Sequence, residues 1–459
     1  MSMPEQAWEA YLAANEQAYL DELIEFLRIP SISTDPEHKD DVRAAAEWVA
    51  ARMKKAGIPE VEIVESGGHP NVIGRWNAGA DKPTVLIYGH YDVQPAVPLE
   101  LWETPPFEPT IREGRLYARG SSDMKANLLT TLHAVEALGI TEGGPPVNVI
   151  FFFEGEEEIG SANLPAFVAA NQERLRCDVV LSADSGMDGP NSPVLVTALK
   201  GVVGCQIDVK SGDTDLHSGG YGASVPNANQ VLAQLAASFH TAGGQVAIEG
   251  FYDEVVPLTE RDRADIAIGD AALDAFIDGS GAYTTWGEAG YTKTERVFAR
   301  PTLDLNGVWG GFTGQGAKTV TPCEAHLKLT CRLVPDQDPD RILDLIRAHV
   351  EKHLYPGVTY TLTPLNGAAY PFAIDRDHPA MVKTGAVLTE IYGAEPMFVR
   401  VGASVPVTGI FQRTLAADTV ELGFSQPGSG AHAPNEWWRV ADLALGSRVY
   451  CAVLKALAL

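Results

Sequence analysis

The stretch Val147-Asn148-Val149-Ile150-Phe151-Phe152-Phe153-Glu154-Gly155-Glu156-Glu157-Glu158 decides the fold. Its first half is β-branched and aromatic and reads as a strand buried in a core. Its second half crowds carboxylates at the strand's end. Two other short apolar runs behave the same way: Val85 to Tyr88 leads into Gly89-His90-Tyr91-Asp92, and Val179 to Leu181 leads into Ala183-Asp184. Between them lie helical segments such as Lys125 to Leu138, with Leu128, Leu129, Leu132 and Val135 at helical spacing. Strand alternating with helix from about 60 to 200 predicts an α/β fold, a mostly parallel sheet with helices on both faces. Ligands of such a sheet gather at the carboxyl ends of its strands, where the acids and His90 fall.

Upstream, residues 7 to 58 read as two helices: Leu20, Leu23, Ile24 and Leu27 share a face, Pro30 ends the first, and Val42 to Met53 repeats the pattern. After Lys200 the period changes. Ala325, Leu327, Leu329 and Cys331 alternate with His326, Lys328, Thr330 and Arg332, which predicts an antiparallel sheet with one packed face. Helices over about Asn227 to Phe239 and Pro339 to Leu354 would pack it. Beyond Pro371 the pattern returns to helix and buried strand, with helices over Ala380 to Tyr392 and Asp442 to Leu457. The expected organisation is a catalytic domain in two parts, 1–199 and 371–459, with an α+β domain, 200–370, inserted between them.

The chain has 459 residues, enough for two cores, and a formal charge of −26 from 60 acidic and 34 basic residues. Such an excess disfavours nucleic acid and anionic membrane as partners. The polar, acidic start and the lack of a 20-residue apolar run fit a cytoplasmic protein rather than a membrane-spanning one. Cys177, Cys205, Cys323, Cys331 and Cys451 show no CxxC spacing, so reduced thiols are expected rather than disulfides or a thiolate metal site.

Each candidate has an ordinary reading beside the chemical one. His90 and Asp92 lie two apart and point the same way from an extended strand, so Asp92 could orient a metal-binding imidazole or simply accompany a half-buried one. Asp123, after Arg119-Gly120 in a turn that opens a helix, could cap that helix or bridge two cations. Glu156-Glu157-Glu158 could be a solvated loop, yet it emerges from a buried strand; two adjacent glutamates could divide the work between metal ligand and general base. Asp184 could be a turn residue, and His432, in Gly428-Ser429-Gly430-Ala431-His432-Ala433-Pro434-Asn435-Glu436, a surface one. Taken together, the inventory suits a pair of zinc-like ions.

Gly89-His90-Tyr91-Asp92-Val93-Gln94-Pro95, Arg119-Gly120-Ser121-Ser122-Asp123-Met124-Lys125, Glu154-Gly155-Glu156-Glu157-Glu158-Ile159-Gly160-Ser161, Ser182-Ala183-Asp184 and Ala431-His432 together resemble the signatures of a di-zinc metallopeptidase family. Its members include carnosinase, cytosolic nonspecific dipeptidase, carboxypeptidase G, aminoacylase and succinyl-diaminopimelate desuccinylase. Arg300-Pro301-Thr302, Gly314 to Thr319 and Arg332-Leu333-Val334-Pro335 resemble the dipeptidase and carnosinase branch.

The resemblance implies that Asp123 bridges two divalent ions, zinc first with manganese or cobalt as alternatives. It implies His90 and Asp184 at one ion, Glu158 and His432 at the other, Glu157 as general base, Asp92 as orienter of His90, and a cis bond at Asp123-Met124. Asp215-Leu216-His217-Ser218-Gly219 resembles a turn whose histidine crosses a homodimer interface, formed by the inserted lid and dimerisation domain, to stabilise an oxyanion. Arg332, on a polar strand face, suits a bidentate grip on a substrate carboxylate, and Thr319 and Ser404 would assist it.

One position departs from the branch. Arg400-Val401-Gly402-Ala403-Ser404-Val405-Pro406 carries Val401 where the branch has Glu, which could favour substrates with an acylated or bulky amino end. The expected activity is hydrolysis of dipeptides with a free carboxylate. The alternative is deacylation of N-acyl amino acids, or a carboxypeptidase G-like reaction. A non-catalytic protein that kept the fold is the other class, and the complete set of ligands and base argues against it.

Overall fold

A computed structural model describes residues 6–458, which cluster into two compact units. The first comprises 6–197, 374–398 and 410–458; the second comprises 198–373 and 399–409. The segment 399–409, which the sequence reading left in the catalytic part, clusters with the second unit. The reason is local bonding: the Lys200 amide donates to the carbonyls of Val401 and Ala403, and Arg400 pairs with Asp262 at 2.7 Å.

The first unit is built on a six-stranded sheet in the order Glu60–Val64, Asn71–Trp76, Asn148–Glu154, Thr84–His90, Val179–Ser182, Thr419–Glu421. The last four strands run parallel. Asn71–Trp76 pairs antiparallel with Asn148–Glu154 and with Glu60–Val64. The sheet is therefore mixed, because a short connection between Glu60–Val64 and Asn71–Trp76 permits only a hairpin. Both faces are covered, as the unbroken apolar run requires. Phe152 stacks on Phe167 at 5.7 Å and meets Phe411 at 6.1 Å. Phe151 and Phe153 turn the other way, where Phe151 and Met53 crowd Gly74, and Phe153 and Met124 crowd Gly89. Helices Ala7–Leu27, Ala126–Glu142 and Ala441–Leu457 pack against one another, with Ala126–Glu142 buried from Ala126 through Leu138.

The second unit carries a four-stranded antiparallel sheet ordered Thr302–Gly310, Glu324–Leu333, Gly201–Lys210, Thr359–Pro364. Ala325, Leu327, Leu329, Cys331 and Leu333 join Val203, Cys205, Ile207 and Val209 in one core beneath helices Ala228–Ser238 and Pro339–His353. Arg332 and Lys328 lie exposed on the opposite face. All five cysteines are free; three are buried, and Cys177 and Cys323 are partly exposed. Among the described residues, no helix is long and apolar enough to cross a membrane.

Candidate metal centre

Three parallel neighbours, Asn148–Glu154, Thr84–His90 and Val179–Ser182, end level with one another: His90 pairs with Glu154, and Tyr88 with Ser182. Their carboxyl ends release His90, Glu157, Glu158 and Asp184 on one side of the first unit. The Ser121–Lys125 turn adds Asp123, followed by a cis Asp123–Met124 bond. The loop before strand Trp437–Arg439 adds His432.

Asp123 is the meeting point. One of its oxygens lies 3.1 Å from His90 Nε2 and the other 2.9 Å from His432 Nε2. His432 Nε2 also lies 3.1 Å from Glu158, and His90 Nε2 lies 3.7 Å from Asp184 and 3.9 Å from Glu157. Two ligand-like triads share His90: one with Asp123 and Glu158, the other with Glu157 and Asp184. On its far side His90 Nδ1 sits 3.1 Å from the Asp92 carbonyl and 3.4 Å from its carboxylate. The same Asp92 carboxylate accepts the amides of Glu157 at 3.3 Å and Glu158 at 3.1 Å, so one buried acid orients both the imidazole and the glutamate loop.

Charge in this site is unbalanced. Burial, with Asp123 and Glu158 nearby, pushes the Asp184 carboxyl up to about 7. Burial likewise holds Glu157 well above the carboxylate range, opposed by His90 and reinforced by Asp184 and Glu158. Burial pulls His90 down, but Asp123 and Asp92 more than offset it and leave its pKa raised. Hydrogen bonds to Asp123 and Glu158 lift His432 to about 10. Carboxylates thus outnumber imidazoles in this partly buried cluster, and a divalent cation would supply the missing positive charge. The oxygen and imidazole donors fit such an ion, whereas no thiol is present.

One residue given no role from sequence organises the arrangement. Buried Glu436 accepts from Arg119 Nη1 at 2.6 Å and from the amides of Gly120 (2.9 Å), Ser122 (2.7 Å) and Asp123 (3.0 Å). It thereby ties the loop of His432 to the turn of Asp123. Its sequence signal is an acid entering the aromatic pair Trp437-Trp438. Gln94 performs a similar service for Glu158, donating to its carboxylate at 2.8 Å and its carbonyl at 3.1 Å. Lys125, buried, donates to the carbonyls of Phe26 and Ile29 at the end of the first helix.

The remaining sequence candidates lie in the second unit. His217 is exposed and accepts from the Gly219 amide at 3.0 Å through Nδ1; its strand Leu216–His217 pairs with Val320–Thr321. The carbonyl of Thr319 accepts from the Ser218 amide. Arg332 is exposed, and its Nη1 donates to Ser404 Oγ at 2.9 Å.

The chain is 30% identical over 460 residues to the Cys-Gly metallodipeptidase DUG1 of Saccharomyces cerevisiae, covering 95% of each protein. Its structure is similar to an M20 family metallo-carboxypeptidase from Sulfolobus solfataricus, with a TM-score of 0.80, 33% identity, and 96% and 99% of the two chains covered. It is also similar to human carnosine dipeptidase 1, with a TM-score of 0.73, 25% identity, and 98% of each chain covered. The pattern of peptidase family M20/M25/M40 runs through residues 86–456, so this metal-dependent peptidase belongs to that family.

Proposed function

We propose that the protein is a cytoplasmic, homodimeric, di-zinc hydrolase of dipeptides that carry a free C-terminal carboxylate. The observation that carries the reading is the Asp123 carboxylate held between His90 and His432. In this assignment Asp123 is shared, His90 and Asp184 complete one ion's ligands, and Glu158 and His432 complete the other's. Bound ions would supply Lewis acidity to the scissile carbonyl and acidify a water molecule.

The chain's own groups do the rest. Glu157, made more basic by burial beside Asp184 and Glu158, takes a proton from the attacking water and delivers it to the departing amine nitrogen. Asp92 keeps the His90 ring oriented. Arg332, already paired with Ser404, grips the substrate carboxylate with Thr319, and His217 steadies the oxyanion across a dimer formed through the second unit. The names of the relatives support dipeptides, since they specify Cys-Gly and carnosine as substrates. A second reading, removal of the C-terminal residue from longer peptides, draws support from the similarity to a metallo-carboxypeptidase.

The test is turnover, by mass spectrometry, of chelated protein reloaded with zinc, manganese or cobalt. Four substrate sets are offered: free dipeptides, N-acetylated dipeptides, C-amidated dipeptides and tripeptides. Metal-dependent cleavage of the free dipeptides, lost on amidation, is the expected result. Faster cleavage of tripeptides selects the carboxypeptidase reading, and preference for the acetylated set makes the protein a deacylase. No turnover of any set by fully loaded protein would reject the proposal.

A further inference from the structure

The second unit contains a cavity of about 380 Å3 with Arg332 on its wall. Most of its charged groups already have a partner in the protein. Arg300 donates to both oxygens of Glu288 at 2.8 and 2.9 Å and lies over the Tyr252 ring at 5.0 Å. Lys200, buried, is capped by the carbonyls of Arg296 at 3.1 Å and Arg300 at 2.6 Å. Arg296 Nε donates to the Glu288 carbonyl at 2.8 Å. Its apolar lining is Val246, Tyr252, Trp286, Val297, Pro301 and Leu303, and His240 adds an imidazole. Trp286 keeps 65% of its surface exposed. An indole so exposed, beside an apolar hollow, is poised to cover something.

The occupant follows from Arg332 and rests on the proposed function, in which Arg332 holds the substrate carboxylate. A carboxylate carbon is bonded to the Cα that bears the side chain of the same residue. A carboxylate anchored at Arg332 therefore holds that side chain near the cavity that Arg332 helps to line. We propose that this cavity is the subsite for the side chain of the substrate's C-terminal residue, and that it selects a bulky, uncharged side chain, aromatic ones most strongly. Four cations, Lys200, Arg296, Arg300 and Arg332, line it against two carboxylates, Glu288 and Asp304, which disfavours lysine or arginine there. A glutamate side chain would lose its hydration among cations whose bonds are mostly committed.

Burying a leucine or phenylalanine side chain that glycine lacks is worth roughly 10- to 100-fold in specificity. The experiment measures kcat/KM of the metal-loaded protein for Ala-Gly, Ala-Leu, Ala-Phe, Ala-Glu and Ala-Lys, then repeats it with Val297→Trp, which fills the cavity, and Trp286→Ala, which opens it. The proposal expects Ala-Phe and Ala-Leu to exceed Ala-Gly by that factor, mostly through KM. It expects the Phe to Gly ratio to fall toward one in Val297→Trp and several-fold in Trp286→Ala. Should Val297→Trp fail to fold, the ratio in Trp286→Ala decides, because that side chain is mostly exposed. Equal rates for all five substrates, preference for Ala-Glu or Ala-Lys, or a ratio untouched by the variants would overturn the subsite while leaving dipeptide hydrolysis standing. If no dipeptide is cleaved, the underlying reading has failed and the subsite falls with it.

Discussion

Glu157 and Glu158 are adjacent in sequence but differ in their partners. Glu158 is committed: Gln94 donates to it and His432 faces it at 3.1 Å. Glu157 is disfavoured as an anion by burial and by the carboxylates of Asp184 and Glu158, with His90 at 3.9 Å its counterweight. Glu157→Gln should therefore bind metal at normal stoichiometry, by elemental analysis, while kcat falls about a hundred- to ten-thousand-fold; near-normal turnover would remove Glu157 as the base. Glu436→Gln should leave the donors of the Asp123 turn facing an amide that cannot accept on both ends. Metal affinity, measured in competition with a chelator, should weaken about 10- to 100-fold. Wild-type affinity in a folded variant would contradict the role assigned to Glu436. The proposed ligands were legible because each sits where an apolar run stops or glycine clusters. Glu436 was not, because its partners Gly120 to Asp123 lie more than three hundred residues away and no local pattern records that distance.

At the scale of elements, strands with a buried face spell themselves out. Glu324–Leu333 alternates in letters as it does in burial, and the triple phenylalanine run needs cover on both sides. Helices Glu260–Ala267, Asp270–Gly279 and Lys293–Ala299 received no assignment from sequence. Each is ten residues or shorter and buries few side chains, so its apolar period is faint, although Thr259 with Asp262 and Thr292 with Glu295 form capping boxes that mark two of the starts. Helix contacts were also invisible. Gly446, in helix Ala441–Leu457, lets Phe424 and Thr130 approach so closely that an added Cβ would sit 2.7 and 2.9 Å from them. Gly446→Val should overpack this contact and cost about 1–3 kcal/mol, read as a lower urea midpoint; an unchanged midpoint would mean the helices can part freely.

At the scale of the whole molecule, acid stability should reflect a buried ionic cluster. Arg52 pairs with Glu22 and Glu136 at 2.7 Å each, and His133 lies 3.3 Å from Glu22. Burial drives His133 down to about 4. Burial also works against Glu22, but His133, Arg52 and Lys55 pull it down to about 2. Between pH 6.5 and 4 the unfolded chain gains a proton on this histidine that the folded chain refuses, so stability falls as pH falls through that window. The Glu22 loss follows from about 4.5 to 2. The histidine share is about 3 kcal/mol at most. Across pH 7 to 4 the urea midpoint of the wild type should fall relative to that of His133→Gln, because buried carboxylates of raised pKa such as Asp184 act on both curves alike; parallel curves would assign the acid sensitivity elsewhere. For the proposed dimer, inactive His217→Ala mixed with inactive Glu157→Gln should regain part of the rate once subunits exchange, and verified exchange without recovery would contradict action across the interface.

The first unit is discontinuous, and this has a consequence during synthesis. Strand Val179–Ser182 acquires its outer neighbour only when Thr419–Glu421 emerges, more than two hundred residues later. Until then the nascent chain exposes an unpaired strand edge, open to wrong partners. His90, Asp123, Glu158 and Asp184 exist by that stage, but His432 and the Glu436 that ties down the Asp123 turn do not. A chain released from a ribosome stalled in the middle of this message would hold four of the five proposed ligands but lack His432, so completion of translation would itself be a safeguard against a stray hydrolase.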